Sequence, residues 1–374
     1  MSEIKVKKKY EIEIISPVHI GSGNTLQRGI DYVVRNDKTY FIDKERVFSK
    51  FSIEDLKSIS NIEHLREAFK NLFERENIEK FTLFSSNTIP KNEVREFIKD
   101  PYGNPYIPGS SIKGAIRTII LKSLAKSSSK IQETFSRLNK EISKAKKEKN
   151  KRWAKKLLQN PGETLEKEYL NVKEGREATA HFDVGRTILI RDVNFRKENL
   201  ELYKVKVFSK KGELQNLLIS AISLCSGSKA VSEFLIDLFL LNKIFSEYQE
   251  KILDLENEIR NFNLEWIERE RNSLKIMMMR TKELEYVFKS VLDFYKELIE
   301  KTKNGEVFLH LGYGVGWRGI TGGILELARA EDRKEILSNL LKTREKDFPI
   351  SRRFVEMEDG TFMPMGWIKL KRIQ

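Results

Sequence analysis

Residues 104–119 read NPYIPGSSIKGAIRTI, an extended segment that turns into a helix after Pro108. Apolar residues then recur at intervals of three or four, the spacing of one helix face. Gly109 and Gly114 are separated by the four residues of a triphosphate-binding loop, in which Lys and Ser/Thr follow the second glycine. Here the two residues after Gly114 are Ala-Ile, so a nucleoside triphosphate site of this type is excluded.

The same segment predicts a simpler phosphate site. Ser110 or Ser111 can cap the helix, whose first amide groups then favour an anion. Lys113 and Arg117, four residues apart, are expected on one face near that end. A backbone phosphate of RNA fits such a site without a metal ion. An ordinary capped helix with two surface cations is the alternative.

The composition favours a polyanionic partner. The chain has 374 residues, 69 Lys+Arg against 55 Asp+Glu, and a formal net charge of +14. Such an excess repels itself unless a polyanion offsets it, so nucleic acid is the first candidate and an anionic membrane surface the second. A highly charged surface with an incidental lysine excess is the alternative.

Other classes of protein are disfavoured by the residues that the chain lacks. A single cysteine, Cys225, excludes an internal disulfide and a cysteine-based zinc site, and the four histidines are scattered. We therefore expect no metal, no cofactor and no small-molecule substrate. The N-terminus has no apolar signal region, and no uncharged apolar window approaches eighteen residues. We expect a soluble, cytoplasmic protein.

A second glycine-rich segment, HLGYGVGWRGITGG, occupies residues 310–323. It contains G-x-G-x-x-G, but no alternating series of strands and helices follows to build a dinucleotide-binding sheet. Its glycines Gly314 and Gly316 are interleaved with Tyr313, Trp317 and Arg318. Aromatic rings and a guanidinium on such a loop predict stacking on unpaired bases and contact with phosphates. The alternative places Trp317 in the core.

A third segment, SPVHIGSGN at residues 16–24, follows a predicted strand. His19 could serve as a general base in RNA cleavage, because histidine titrates near neutrality. No second histidine or acid accompanies His19 in this segment. We therefore favour RNA contact or a structural hydrogen bond for His19, and RNA contact for the adjacent Gly21.

A fourth segment, FDVGRTILIRDV, contains Asp183, Arg186, Arg191 and Asp192. These residues predict either an RNA clamp or a buried charge network.

The remaining chain has a mixed pattern. Strands are predicted at residues 8–15 and in a hairpin that turns at Asn36-Asp37, with helices between 44 and 82. Between 137 and 156, ten Lys/Arg and two Glu give a net charge of +8. Apolar residues are sparse there, so we predict an inserted, mobile basic helical arm within about 126–178, with a solvated linker helix as the alternative. Residues 212–303 are predicted to be long and helical.

Taken together, these segments resemble the RAMP superfamily of CRISPR-associated proteins. The resemblance rests on PVHIGSG, PYIPGSSIKGAIRT, LGYGVGWRG and the ending PMGWIKL at 364–370. Their combination is most similar to the Csm-type subunit at the head of type III-A effector complexes. The resemblance implies an α+β fold with two ferredoxin-like (RRM-like) domains and large helical insertions. We predict them at residues 1–210, with the basic insertion, and 211–374, with the long helical segment and the glycine-rich loop.

The resemblance also implies a function. Such a protein binds the 3′ portion of the guide RNA (crRNA), contacts a neighbouring RAMP subunit of the complex, and supports crRNA maturation by engaging host nucleases without cutting RNA itself. The loop aspartate of target-cleaving subunits has no counterpart here. A metal-independent RAMP endoribonuclease with His19 as general base is the alternative, and a membrane-surface adaptor is a third. The residues expected at the RNA are Ser110, Ser111, Lys113, Arg117, Gly314, Gly316, Trp317 and Arg318 by motif, together with His19, Gly21 and Arg186.

Overall fold

The computed structural model describes residues 5–91, 93–171, 183–217, 219–340 and 351–374. The strands are β1 (Lys5–Ile14), β2 (Gly21–Leu26), β3 (Tyr32–Arg35), β4 (Lys38–Ile42), β5 (Thr82–Ser86), β6 (Val94–Phe97), β7 (Tyr106–Ile107), β8 (Ile188–Ile190), β9 (Val193–Asn194), β10 (Leu200–Ser209), β11 (Ile219–Leu224), β12 (Lys229–Asp237), β13 (Val307–His310), β14 (Ser351–Glu356), β15 (Phe362–Pro364) and β16 (Trp367–Arg372). The α-helices are α1 (Lys44–Phe48), α2 (Ile53–Ser58), α3 (Ile62–Arg75), α4 (Gly109–Ser127), α5 (Ile131–Lys147), α6 (Arg152–Gln159), α7 (Gly162–Leu170), α8 (Leu238–Lys243), α9 (Gln249–Leu253), α10 (Leu255–Arg280), α11 (Glu285–Lys303) and α12 (Ala330–Leu340).

Two large sheets organise the chain. Sheet I has the strand order β13-β16-β1-β12-β8, and sheet II has the order β15-β14-β10-β11-β6-β2. The pairing is antiparallel except between β6 and β11. This mixture of helices and mainly antiparallel sheets agrees with the predicted α+β class. Both sheets contain strands from either side of residue 210. A boundary there would separate paired strands, and the division into two ferredoxin-like domains stays a prediction.

Local chemistry explains the elements that were predicted well. In β1, Tyr10, Ile12 and Ile14 are buried and alternate with more exposed charged residues, the pattern of a strand with one face on the core. The β3–β4 hairpin turns at Asn36 and Asp37, whose φ angles are +49° and +57°. Two successive positive φ angles define a type I′ turn, which Asn and Asp tolerate better than most residues. Both predictions are confirmed.

The basic segment between 131 and 147 is helical, as predicted, but the expectation that its apolar residues are too sparse for packing is wrong. In α5, Phe135, Leu138 and Ile142 are fully buried in the main core cluster. Asn139 on the same helix donates to Glu335 of α12 at 2.7 Å. Three apolar side chains at helical spacing were enough to fix the helix, because the lysines lie on its other face. Residues 172–178 of the predicted insertion lie outside the described residues.

The prediction that 212–303 is helical throughout is wrong for its first part. The apolar run ISAISL is strand β11, and β12 follows it; helices begin only at Leu238. A strand buried on both faces shows a continuous apolar run, which periodicity cannot distinguish from a buried helix. From α10 onward the prediction is confirmed. Among the described helices none combines the length and apolarity needed to cross a bilayer.

Candidate nucleic-acid interface

Helix α4 begins at Gly109, but neither predicted serine caps it. The capping position is Pro108, which makes no side-chain bond, while Ser110 and Ser111 lie inside the first turn. The Gly109 N–H instead donates to Asp192 Oδ1 at 2.7 Å. The prediction of a serine cap is therefore wrong, because a carboxylate from the β8–β9 connection occupies that position. One of the amides expected to bind an external anion is already satisfied.

Gly109 allows this helix start to press against β8. A Cβ atom there would lie 2.0 Å from the backbone oxygen of Ile190, a contact that the backbone must move to relieve. We expect Gly109→Ala to lower the free energy of unfolding by about 1–3 kcal/mol, the usual cost of overpacking. Urea unfolding followed by circular dichroism would measure it.

Gly114, in the same helix, is the matched control. It is exposed, and a Cβ atom there would meet no heavy atom within 4 Å. Gly114→Ala should therefore raise stability by about 0.5–1 kcal/mol, since alanine has the higher helix propensity. Equal stability of Gly109→Ala and the wild type would contradict the close approach.

The structure brings the predicted cations of α4 together. We call Lys113, Arg117 and Arg186 the α4 cation cluster. Burial lowers the pKa of Lys113; Asp183 opposes this shift, and Arg117 and Arg186 reinforce it. The Arg117 guanidinium donates to Asp183 Oδ2 at 2.5 Å and pairs with Glu166 at 2.8 Å.

This pairing limits what Arg117 can bind. All three of its guanidinium nitrogens contact carboxylates of the chain, so Arg117 orders the cluster from within. Asp183 and Asp192 both bind α4, at Arg117 and at Gly109 respectively. The charge-network interpretation therefore describes these aspartates. Contact of Ser110, Ser111 and the cluster with RNA stays a prediction.

The glycine-rich loop lies directly against the His19 segment. Gly312 has a φ of +78°, and a Cβ atom there would lie 2.5 Å from the backbone oxygen of His19. The next residue, Tyr313, donates its N–H to that same oxygen at 2.8 Å. Two segments nearly three hundred residues apart in sequence are thus joined at the level of the backbone.

The buried side chain of His19 packs against Tyr313 of the glycine-rich loop. Its side chain is 2% exposed, Nδ1 donates to the Ile222 carbonyl at 2.6 Å, and its ring lies edge-on to Tyr313 at 5.8 Å. Burial lowers its pKa, and nearby Arg95 lowers it further. A general base must reach a proton on its substrate. This position gives no support to catalysis by His19, and its interpretation as a structural hydrogen-bonding residue agrees with the geometry.

Two arginines that the sequence did not single out flank Tyr313. The Cζ atom of Arg95 on β6 lies 4.6 Å from the ring centroid, and that of Arg353 on β14 lies 5.1 Å away. Arg353 Nε also donates to the Tyr313 hydroxyl at 3.0 Å. We call Arg95, Tyr313 and Arg353 the loop cation cluster. No local signal predicted it, because the three residues come from two strands of sheet II and from the loop after β13, and only the tertiary fold brings them together.

The second half of the loop is turned inward. Arg318 Nη1 donates to Glu270 and its Nε to Glu326, both at 2.6 Å, and its side chain is 15% exposed. Trp317 is half-buried and packs against the main core cluster. The core interpretation of Trp317 thus has direct support, whereas RNA contact by Trp317 and Arg318 stays a prediction.

A chain of contacts connects the α4 cation cluster and helix α4 to the glycine-rich segment 310–323. Thr321, just after the loop, donates to Glu166 at 2.9 Å, and Glu166 pairs with Arg117. The Lys122 ammonium on α4 donates to the Arg318 carbonyl.

In the described part of the chain, no group of three or more His, Cys, Asp or Glu side chains is placed to hold a metal ion.

Comparison with known proteins identifies the family. The sequence profile of the RAMP superfamily matches residues 11–318, a range that contains His19, both cation clusters except Arg353, and Arg318. The chain belongs to the RAMP superfamily. The resemblance predicted from its glycine-rich segments is confirmed.

Two RAMP relatives share a name. The protein named CRISPR system Cms protein Csm5 from Streptococcus thermophilus is 30% identical over 139 residues, which cover 32% of this chain and 39% of that protein. The protein of the same name from Methanocaldococcus jannaschii is 23% identical over 99% of this chain and 90% of its own length. The match to the first relative thus spans well under half of that protein, whereas the match to the second spans most of it.

Two solved structures share the RAMP fold. A chain in a cryo-EM structure of a Csm–crRNA–target RNA ternary complex of a type III-A CRISPR-Cas system superimposes with a TM-score of 0.67, 21% identity and coverage of 98% of this chain and 100% of its own. The crystal structure of T. onnurineus Csm5 gives 0.62 and 21%, with coverage of 96% and 99%. The whole described architecture is therefore that of a known fold.

Proposed function

We propose that this RAMP protein is a non-catalytic subunit of a type III-A CRISPR effector complex that binds the 3′ portion of the crRNA. The observation that supports it most is the loop cation cluster, in which two arginines flank an aromatic ring at the RAMP glycine-rich loop. The relatives named Csm5, and the shared fold of a chain from a Csm–crRNA–target RNA complex, supply the biological setting.

The loop cation cluster has the chemistry that single-stranded RNA requires. Arg95 is exposed, and its guanidinium makes no hydrogen bond to the described residues, so its donors remain available for phosphates. Gly314 and Gly316 have φ angles of +102° and +68°, a conformation that favours glycine, so the backbone beside Tyr313 carries no side chain at these two positions. Guanidinium donors pair with phosphate oxygens, and aromatic rings stack on bases. Lys113 and Arg186 supply a second positive area beyond the loop.

The same proposal covers the partners. We infer that the protein contacts neighbouring Csm RAMP subunits, caps the 3′ end of the crRNA, and supports crRNA maturation and antiviral defence, with host nucleases doing the trimming. The endoribonuclease alternative required His19 as general base. The burial of His19 beneath Tyr313 favours the non-catalytic proposal.

Replacing Arg95 and Arg353 together by alanine should weaken binding of single-stranded crRNA 3′ fragments by roughly tenfold. Two lost phosphate contacts should also reduce the slope of log K against log salt by up to about 1.4, at about 0.7 per contact for single strands. Fluorescence anisotropy across a salt series would measure both effects.

The matched control removes two cations elsewhere. Lys289 and Lys296 are exposed on α11 and lie outside both cation clusters. Their double replacement by alanine should leave affinity within about twofold and change the slope little, because it removes the same formal charge from a different surface. Identical affinity and slope for the Arg95/Arg353 variant and the wild type, with both proteins folded, would refute the assignment of the RNA surface.

A further inference from the structure

An acidic cleft lies on a different part of this basic protein. The cleft is open to solvent, has a volume of about 1000 Å³, and lies between β10, α11 and the hairpin that joins β14 to β15. Six carboxylates and one lysine, Lys204, line it, a formal charge of −5 in a chain whose net charge is +14. The carboxylates are Glu201, Asp293, Glu297, Glu356, Glu358 and Asp359. A surface of this sign repels the phosphates of RNA, so the cleft is unsuited to the proposed guide strand.

Two of these carboxylates have no partner among the residues that the structure describes. Glu297 pairs with Lys301 at 2.6 Å and Glu356 with Lys206 at 3.6 Å, so both are partly neutralised. Asp293 and Glu358 are exposed and make neither an ion pair nor a side-chain hydrogen bond within the described ranges. Their charges are available to a ligand that enters the cleft.

Tyr203 provides an independent indication of a ligand. Its side chain is 9% exposed, lines the cleft, and makes no hydrogen bond to any described residue. Burial raises the pKa of its hydroxyl, and Cys225, Glu201 and Glu358 raise it further. The phenol therefore keeps its proton and its ability to donate. The ring is buried while the hydroxyl keeps accessible surface in the cleft, so the hydroxyl can donate to a ligand there.

We propose that this cleft binds a Lys/Arg-rich segment of a partner protein. Ammonium or guanidinium groups of the segment pair with Asp293 and Glu358, and the Tyr203 hydroxyl bonds to a backbone carbonyl of the same segment. A volume of about 1000 Å³ accommodates several side chains, which favours a peptide over a single ion. A divalent cation needs convergent carboxylates, and no such group of three exists among the described residues. The proposal is independent of the RNA surface.

The test uses the full chain and a fluorescein-labelled synthetic peptide of alternating Lys, Arg and Gly. We expect salt-sensitive binding to the wild type. Asp293→Asn/Glu358→Gln should weaken it by about tenfold, since two ion pairs are lost, and Tyr203→Phe by about threefold, since one hydrogen bond is lost. The control Glu268→Gln/Glu300→Gln removes two exposed acids from α10 and α11 outside the cleft and should change the affinity by less than about twofold.

Several outcomes would overturn the proposal. These are absent peptide binding, equal losses in the cleft and control variants, or an affinity unaffected by either cleft variant. The proposal would also be overturned if Mg²⁺ or crRNA, and not the peptide, bound the wild type and lost affinity in the cleft variants. The cleft variants should bind crRNA fragments as the wild type does, so failure here is distinguishable from failure of the RNA surface. Because Asp293 and Glu358 are exposed, their isosteric replacement should leave the thermal transition unchanged.

Discussion

Replacing Glu270 by alanine should lower the free energy of unfolding by about 3–5 kcal/mol, the usual cost of breaking a buried ion pair. Glu270 is 4% exposed and lies between two arginines. Arg318 donates to its Oε2 at 2.6 Å, and Arg352 donates to both of its carboxylate oxygens. Burial alone would raise the pKa of Glu270, but Arg352 and Arg318 overcome this and lower it. Without the carboxylate, two guanidinium groups remain in a poorly solvated site.

Glu268 is the matched control, since it is an exposed glutamate on the same helix. Glu268→Ala should change the free energy of unfolding by less than about 0.5 kcal/mol. Urea titration of both variants measures the difference. A loss below about 1 kcal/mol in Glu270→Ala would show that the arginines find other partners or water. Arg318 anchors the glycine-rich loop through this carboxylate, so the Glu270→Ala variant would also lose one anchor of the loop proposed to bind RNA.

Lowering the pH from about 7 to about 4 should remove about 3 kcal/mol of stability through His310 alone. This residue is partly buried, and burial lowers its pKa from 6.5 to about 4. Its ring stacks on Trp367 at 4.5 Å, Nε2 donates to the Met365 carbonyl at 2.8 Å, and Nδ1 is buried without a partner. A proton added at Nδ1 would place a positive charge in a poorly solvated site, a cost that nearby Glu270 offsets only in part.

The sign follows from proton uptake. Between pH 6.5 and 4 the unfolded chain binds a proton at His310 that the folded chain does not, so stability falls as the pH falls through this window and levels off below it. A shift of about 2.5 units corresponds to about 3 kcal/mol. His310→Gln keeps a donor but cannot titrate there. Wild type should lose about 3 kcal/mol more than this variant across the window, and parallel pH curves would contradict the account.

Sequence reasoning succeeded where the determinant is local. The Asn36-Asp37 turn, the β1 alternation and the start of α4 after Pro108 each depend on a few adjacent residues. It failed at β11, where a strand buried on both faces has no alternation, and at α5, where a lysine-rich composition hid a narrow apolar stripe.

The candidate site was predictable only in part. The glycine-rich loop and the α4 cations stand in conspicuous segments. By contrast, Arg95, Arg353 and Glu270 lie in ordinary strands and a helix, and only the tertiary fold brings the two arginines to Tyr313. Which charges neutralise one another is likewise a tertiary property. For that reason Arg117 and Arg318 appeared in the sequence as free cations, although carboxylates of the chain hold both.

The most direct test of the central claim is photo-crosslinking in the assembled type III-A complex. A crRNA with 4-thiouridine at single positions would be irradiated, and the attached peptides identified by mass spectrometry. Positions in the 3′ portion should attach to this chain within residues 311–318 or beside Arg95, and 5′ positions should not. Crosslinks from the 3′ portion to other subunits only, or to this chain only at the acidic cleft, would contradict the central claim.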